Sequence, residues 1–314
     1  MGSHTQQPQV IAWDYQFAPN AQKARNLLHA TNIHYRTCPQ PFVYPRPILQ
    51  DLGITYRRIP LISISKDVFI DNRAIIDSIE EILPDRALPT TKHDHAYDAF
   101  GYRMFWVMLA SLPMSFLTPE IIKDRSDVFA VLGKPNYKEL RPSAIAELRS
   151  FFQVIEDDFL RDATEPEPYI NGAKCGLSDV HAVWVPKWAL ETLKYGTDEP
   201  GFSSKDFPKV HRWCGMFPSH TPENEPEALD AEAAKKALLG SEYVAREIGV
   251  DEGDPTGLRK GQSVYVQTSD DSAPENAQQH GVLVGLGKRR TVIELENGIR
   301  LHFPRVGYAV LGAE

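Results

Sequence analysis

The sequence has few cysteines and no long apolar run, and both shortages limit what it can be. Its three cysteines, Cys38, Cys175 and Cys214, are widely spaced and form no C-x-x-C pair. Such a set predicts neither a disulfide framework nor a zinc site. The apolar stretches are far shorter than the roughly 20 residues of a membrane-spanning helix, and no signal-peptide pattern opens the chain. We therefore expect a cytoplasmic protein with no metal and no membrane partner.

Basic charge is also scarce. The 314 residues include 34 Lys and Arg against 42 Asp and Glu, which gives a net charge of -8. Proteins that bind nucleic acids generally need a basic field to hold the phosphates, so this balance argues against a nucleic-acid partner. The basic cluster at 288–290 is too short to change that expectation. The length itself exceeds what one hydrophobic core usually serves, and two or three domains are expected.

The first part of the chain, residues 9–86, alternates strand and helix signals. An amphipathic helix follows the break at Pro19 and Asn20, and a second helix contains Ala74 to Ile82. The order βαβ and then ββα predicts an α/β domain with a mixed sheet. The predicted strands lie at 10–15, 34–38, 61–64 and 68–70.

The pattern changes twice after Pro84. Residues 92–240 have apolar stripes at helical spacing between Pro and Gly breaks, which predicts an all-helical domain. A Gly- and Asp-rich linker follows at 249–257. After it, apolar and polar residues alternate, as they do in β-strands with one buried face. Asn-Gly at 297–298 indicates a hairpin. Four or five short strands in 257–314 predict a small SH3-like β-barrel packed on the core. The expected fold class is therefore an α+β multidomain protein.

Three local patterns resemble the glutathione transferase superfamily, and the first runs from Ala18 through Pro19 and Asn20 to Lys23. It is similar to the fungal nitrogen-regulator branch and the nu class, in which an Asn at this turn contacts the sulfur of glutathione. The resemblance implies a catalytic Asn20 and places Lys23 among the glutathione-binding residues. An amide donor and a helix N-terminus both favour the ionised sulfur and lower its pKa. The alternative is that Asn20 simply caps the helix.

The second and third patterns are Ile59-Pro60 and Asp71-Asn72. In thioredoxin-like folds an X-Pro step before the third strand is cis, and the resemblance implies that the backbone there pairs with the cysteinyl part of glutathione. The family usually has Glu-Ser where this chain has Asp71-Asn72. Asp can still pair with an ammonium group and Asn can still donate to a carboxylate, so the resemblance implies that both hold the γ-glutamyl end. The alternative is an N-cap for the following helix.

Further candidates come from the same resemblance. Tyr15 lies at the strand end where several classes place a catalytic Tyr, although aromatic packing is the alternative role. An acceptor pocket is expected between the domains, and its candidate residues have an alternative role in the core. These residues are Tyr102, Phe105, Trp106 and Leu109. In the helical half, Asp179 matches the capping residue before the family's central helix, which implies a structural role.

The resemblance covers residues 9–218 and leaves the β-rich tail outside it. It implies a fungal-type transferase-like enzyme that uses glutathione as cosubstrate or catalytic thiol on an apolar small molecule, without a metal. It also implies a homodimer. The alternative function is a non-catalytic binding or regulatory protein on the same fold, in which the β-tail recruits a partner. Fold alone does not decide between them.

Overall fold

A computed structural model describes residues 7–218, 225–270 and 278–313. The chain forms two compact units. The first comprises Met1–Ala24, Ile33–Ala87 and Pro222–Glu314, and the second comprises Arg25–Asn32 and Leu88–Thr221. The strands of the β-rich tail thus belong to the same unit as the N-terminal α/β segment. The three-domain division at 9–86, 92–240 and 257–314 stays a prediction.

The first unit is built on a nine-stranded sheet with the order β2-β1-β3-β4-β8-β7-β6-β5-β9. Four strands come from the N-terminal segment and five from the tail. The strands are β1 (Val10–Trp13), β2 (Arg36–Thr37), β3 (Leu61–Ile64), β4 (Asp67–Ile70), β5 (Ser263–Thr268), β6 (Gln279–Leu286), β7 (Arg290–Glu294), β8 (Arg300–Pro304) and β9 (Tyr308–Gly312).

The N-terminal strands form because they are short runs of β-branched and aromatic residues bounded by turns. β1, β3 and β4 are buried along their whole lengths, as expected for strands covered on both faces. β1 pairs in parallel with β2 and antiparallel with β3, and β3 pairs antiparallel with β4. This is the mixed sheet that the sequence predicts.

The tail continues this sheet instead of closing on itself. β5 to β8 form an antiparallel meander, and β9 returns to pair with β5. β8 pairs with β7 along one edge and in parallel with β4 along the other, with Val68 opposite Leu301 and Phe69 opposite His302. The expected SH3-like barrel is therefore not closed, because the edge of β8 that would meet β9 is used by β4.

One hydrophobic core serves both parts of the first unit. It lies on one face of the sheet and is closed by α10 (Ala231–Leu239), which contributes Ala234 and Leu238. Residues from the N-terminal strands and from the tail belong to the same cluster. Among them are Ile11, Trp13, Leu61, Val68, Ile70, Val264, Val266, Leu283, Ile293, Leu301 and Phe303.

A buried ionisable pair lies where the two parts of the sheet join. His302 Nε2 is 2.7 Å from Asp67 Oδ1, and Asp67 Oδ2 accepts from the backbone N–H groups of Val244 and Ala245. The His302 ring also stacks on Phe69, with ring centroids 4.6 Å apart. Burial lowers the pKa of His302, although the bond to Asp67 opposes this. The neutral ring therefore donates to an Asp67 carboxylate.

The remaining helices of the first unit are two 12-residue helices and one short helix. They are α1 (Pro19–Ala30), α2 (Pro47–Asp51) and α3 (Asp71–Ile82), and α1 extends into the second unit. The second unit is helical. Its helices are α4 (Asp94–Ser111), α5 (Pro119–Arg125), α6 (Tyr137–Val154), α7 (Leu177–Lys187), α8 (Tyr195–Asp198) and α9 (Pro208–Met216). Across the described ranges, we find no helix with the length and apolar character needed to cross a membrane.

The centre of the second unit is α7, whose residues are all buried. Asp179 caps it: Oδ2 accepts from Gly176 N at 2.9 Å, and Oδ1 accepts from Ile170 N at 3.0 Å and from Trp213 Nε1 at 2.9 Å. The predicted structural role of Asp179 is thus confirmed. α4 packs against α7 at Gly101, where a Cβ atom would collide with the carbonyl oxygen of His181.

We predict that the tail supports the stability of the whole first unit. Leu301 is fully buried beside Val68, so Leu301→Ala should lower the free energy of unfolding by about 2–5 kcal/mol. Leu311→Ala, on the 38% exposed side chain of β9, is the control and should cost about 0.5 kcal/mol or less. Denaturant unfolding followed by circular dichroism measures both. Equal stability of the two variants would contradict a shared core.

The Asp67–His302 pair predicts a loss of stability in acid. Since the folded-state pKa of His302 lies below its ordinary value of 6.5, the unfolded chain binds a proton first as the pH falls through that value. Burial alone would raise the pKa of Asp67, but its hydrogen bonds lower it below 3.8, which adds a further loss at lower pH. Arg290 lowers and Glu81 raises the His302 pKa more weakly.

The measurement is the unfolding free energy between pH 7.5 and pH 5.5. We expect the His302→Gln variant, which keeps an N–H donor for Asp67 but does not titrate, to lose less stability over this range than the wild type. The matched control is His34→Gln, because His34 is exposed and should keep the wild-type slope. A wild-type slope in His302→Gln would show that another group is responsible.

Candidate functional site

The first predicted element of the site is the turn from β1 into α1. The helix begins at Pro19, a residue that suits the first helical position because its missing N–H has no helical partner there. Asn20 follows in the first turn and is half-buried, between the buried side chains of Ala18 and Ala21. Lys23 lies one turn further along and is fully buried. The turn thus places the side-chain amide of Asn20 at a helix N-terminus. Its neighbours Ala18 and Ala21 carry no hydroxyl or thiol that could act on a ligand sulfur.

The second element is the start of α3, which follows β4 directly. Asp71 has a φ of 74°, in the left-handed region that residues other than glycine rarely adopt. Such strain is typical of functional sites. Its Oδ1 accepts from Arg73 N at 3.0 Å, and its Oδ2 accepts from the hydroxyl of Tyr308 at 3.3 Å. Partners of the Asp71 carboxylate therefore come both from α3 and from the tail.

Asn72 connects these two elements. Its side chain is 2% exposed, and its Nδ2 donates to the backbone oxygen of Asn20 at 3.1 Å and approaches Asn20 Oδ1 at 3.5 Å. The structure thus brings together two residues that lie 52 positions apart in the sequence. The sequence suggested that Asn72 donates to a ligand carboxylate; in the structure its amide donates to Asn20.

The third element precedes β3. The Ile59–Pro60 bond is cis, as predicted, and Tyr44–Pro45 is cis as well. Ile59 is half-buried and Pro60 is buried. Arg46 and Arg57 precede this step in the chain and are both buried, and Arg46 Nη1 donates to the backbone oxygen of Arg57. The segment that leads to Pro60 is therefore rich in positive charge.

Tyr15 belongs to an aromatic cluster at the end of β1. Its ring meets the ring of Phe42 edge-on at 5.1 Å, and the guanidinium carbon of Arg46 lies 5.7 Å from the centre of the Tyr15 ring. Phe17 contacts Phe42 in the same way at 6.0 Å. These contacts give Tyr15 the packing role that was the alternative to catalysis. They leave its catalytic role a prediction.

The tail contributes residues to the site that the sequence did not identify. Gln279 is buried, and its Oε1 accepts from the backbone N–H groups of Thr55 and Tyr56 while its Nε2 donates to Gly53 O. Asp270 forms a two-pronged ion pair with Arg58 at 2.7 and 3.0 Å. No local motif signals these contacts, because their partners lie more than 200 residues apart.

The predicted acceptor residues lie on α4 in the second unit. Phe105 and Leu109 are buried, whereas Tyr102 and Trp106 are half-buried. Phe105 lies 5.3 Å from Trp184, and both Phe105 and Trp106 meet Phe129 edge-on. Phe105 and Leu109 therefore pack in the helical core, and the assignment of all four residues to an acceptor pocket stays a prediction.

The cysteines offer no reactive thiolate. Burial raises the pKa of Cys38 to about 11, although a hydrogen bond from Gln40 opposes the shift. Burial also raises the pKa values of Cys175 and Cys214. Cysteine nucleophiles need the opposite shift. Within residues 7–218, 225–270 and 278–313, there is no group of three or more His, Cys, Asp or Glu side chains arranged to hold a metal ion.

Comparison with known proteins identifies the fold. A family model described as "Domain of unknown function (DUF7962)" matches residues 106–225. No curated protein matches the chain. The structure is similar to that of a GST-like protein from Pseudomonas syringae, with a TM-score of 0.65 and 18% identity over 98% of this chain and 100% of that chain. The chain therefore has a glutathione transferase-like fold, and the likeness extends into the tail.

Two further solved structures are less similar. Ure2p5 from Phanerochaete chrysosporium, cocrystallised with 1-(S-glutathionyl)-2,4-dinitrobenzene, is 21% identical over 74% of this chain and 96% of that chain, with a TM-score of 0.44. A glutathione S-transferase from Methylobacillus flagellatus with GSH bound is 12% identical over 69% of this chain and 100% of that chain, with a TM-score of 0.49.

Proposed function

We propose that this transferase-like fold binds glutathione at the junction of α1 and α3 and transfers it to an apolar small molecule, or uses it as a catalytic thiol in an isomerisation. The observation that carries the proposal is the hydrogen bond between Asn72 and Asn20, which joins the first turns of two 12-residue helices. Both N-termini carry partial positive charge. Glutathione supplies a thiolate and carboxylates, the groups that such a junction favours.

Asn20 is the residue that we assign to the thiol. Because Asn72 approaches its Oδ1, the amide of Asn20 directs its oxygen toward Asn72, and the Nδ2 end is left to donate to a ligand. A thiolate accepts such a hydrogen bond more strongly than a thiol does. The amide and the α1 N-terminus together lower the pKa of the bound thiol, which raises the fraction of nucleophile at neutral pH.

The other predicted residues fix the tripeptide. Asp71 pairs with the ammonium group of the γ-glutamyl end, and the backbone of Ile59, before Pro60, pairs with the cysteinyl part as an added strand does. Asn72 donates a hydrogen bond to the backbone oxygen of Asn20 and so holds Asn20 in position. Lys23, fully buried within α1, is the further residue that we assign to glutathione binding. Expected properties that stay predictions are a homodimer, a cytoplasmic location and an apolar acceptor bound near Tyr102 and Trp106.

One observation favours the alternative of a non-catalytic binding protein. The resemblance to the superfamily places the catalytic residue of its serine and cysteine classes at Ala18 and Ala21 of this chain, and both alanines are buried. Activation of the thiol then depends on one amide and the α1 N-terminus, without a hydroxyl or thiol side chain at these two positions. On this alternative, glutathione or a related peptide binds at the same junction without turnover, and the tail recruits a partner.

We predict that Asn20→Ala lowers kcat/KM with glutathione and 1-chloro-2,4-dinitrobenzene about tenfold at pH 6.5. Removal of the donor should raise the pKa of the bound thiol by about one unit, which corresponds to about 1.4 kcal/mol. The thiolate absorbance of the complex, titrated against pH, measures that pKa directly. Calorimetry should show nearly unchanged affinity for S-methylglutathione, which has no ionisable sulfur.

The matched control is Gln22→Ala, which removes another amide from the same helix. The Gln22 side chain donates to the backbone oxygen of Gln16 at 3.4 Å, so its loss should not affect the thiol. An Asn20→Ala variant with the wild-type thiol pKa would refute the assigned role. Tight binding of glutathione by a wild type without turnover would favour the non-catalytic alternative, and no binding at all would refute both.

A further inference from the structure

Tyr308, at the start of β9, is a tail residue that contacts one of the proposed ligand-binding groups. Its hydroxyl donates to Asp71 Oδ2 at 3.3 Å. The turn before it, at 305–307, lies over the start of α3, where a Cβ atom on Gly307 would come within 3.7 Å of Arg73 Nη1. The tail therefore meets α3 at the residue that the proposed function assigns to the γ-glutamyl ammonium.

Tyr308 is itself held by a second tyrosine. The hydroxyls of Tyr56 and Tyr308 are 2.7 Å apart. Burial raises the pKa of Tyr56, with smaller opposing effects from Arg58, so this hydroxyl stays protonated. The Tyr308 hydroxyl donates its hydrogen bond to the Asp71 carboxylate, so in the contact between the two tyrosines Tyr56 is the donor and Tyr308 the acceptor. The hydrogen bonds therefore run in one direction, from Tyr56 through Tyr308 to Asp71.

The ring of Tyr308 has little freedom to leave this position. It packs against the rings of Phe303 and Tyr56, with centroid distances of 5.6 and 6.1 Å, and Tyr56 meets Phe303 edge-on at 5.7 Å. Phe303 is fully buried in the shared core. The orientation of one hydroxyl is thus tied to the packing of the tail.

We infer that Tyr308 is a positioning residue that orients the Asp71 carboxylate for the α-amino group of the ligand, so that the tail selects γ-glutamyl peptides whose amino group is free. This inference rests on the proposed function. Arg73 N and the Tyr308 hydroxyl each occupy one carboxylate oxygen, and a carboxylate accepts about four hydrogen bonds. Both carboxylate oxygens are therefore held, which fixes the plane of the group and reduces the entropy lost when an ammonium group binds to it.

The test is a calorimetric comparison of glutathione with its analogue that lacks the α-amino group of the glutamyl residue. Tyr308→Phe keeps the ring and removes the hydroxyl. We expect its affinity for glutathione to fall about 3- to 10-fold, as for the loss of one hydrogen bond to a charged site, while its affinity for the analogue equals that of the wild type. In an Asp71→Asn background, Tyr308→Phe should have no further effect on either ligand.

The control is Tyr265→Phe on β5, whose ring contacts His280 at 5.5 Å; it should bind both ligands as the wild type does. Equal losses for both ligands in Tyr308→Phe would show a merely structural role and overturn the inference, as would wild-type affinity for glutathione. A wild type that binds neither ligand would instead refute the proposed function, and this inference with it.

Discussion

The parallel pairing of β4 with β8 is the interaction on which the rest of the first unit depends. Without β8, β4 would be the edge of a four-stranded sheet with unpaired backbone groups, and Val68 and Ile70 would lose the tail side chains that cover them. The Asp67–His302 hydrogen bond lies at the same joint and is fully buried, so each partner needs the other. The tail therefore continues the N-terminal sheet across the β4–β8 pair.

This joint explains how the tail takes part in the candidate site. Because β8 is fixed against β4, the turn that follows β8 is placed over the start of α3, and Tyr308 reaches Asp71. Gln279 and Asp270 contact the segment before Pro60 through Thr55 and Arg58. Two of the three patterns that suggested glutathione binding, at Asp71-Asn72 and before Pro60, are thus held in place by contacts with the tail. The tail lies outside the residues 9–218 that carry the resemblance.

Much of the architecture could be predicted from the sequence because it depends on local patterns. The strands at 10–13, 61–64 and 67–70, the helix at 71–82 and the hairpin at Asn297-Gly298 follow from period, turn chemistry and capping. Asp179 was also identified, because its capping role is set by residues within ten positions of it.

What could not be predicted is decided by contacts between distant segments. The tail has the strand spacing of a small barrel, and nothing local shows that β8 pairs with β4 instead of closing that barrel. The segment at 249–257 has the composition of a linker, yet Val250 bridges to Leu286, and Asp254 pairs with Arg305 at 2.9 Å. In the site, Asn20 and Asn72 were predicted from motifs, whereas Tyr308 and Gln279 are visible only in three dimensions.

Native-state hydrogen exchange tests the central claim most directly, since it reports the opening free energy of each strand. If β4 and β8 form one sheet, the amides of Leu301 and Phe303 should open with the same free energy as those of β1 and β3, within about 1 kcal/mol, in one cooperative unit. Exchange of residues 263–312 at a free energy several kcal/mol below that of β1 and β3 would show an independent module and contradict the account.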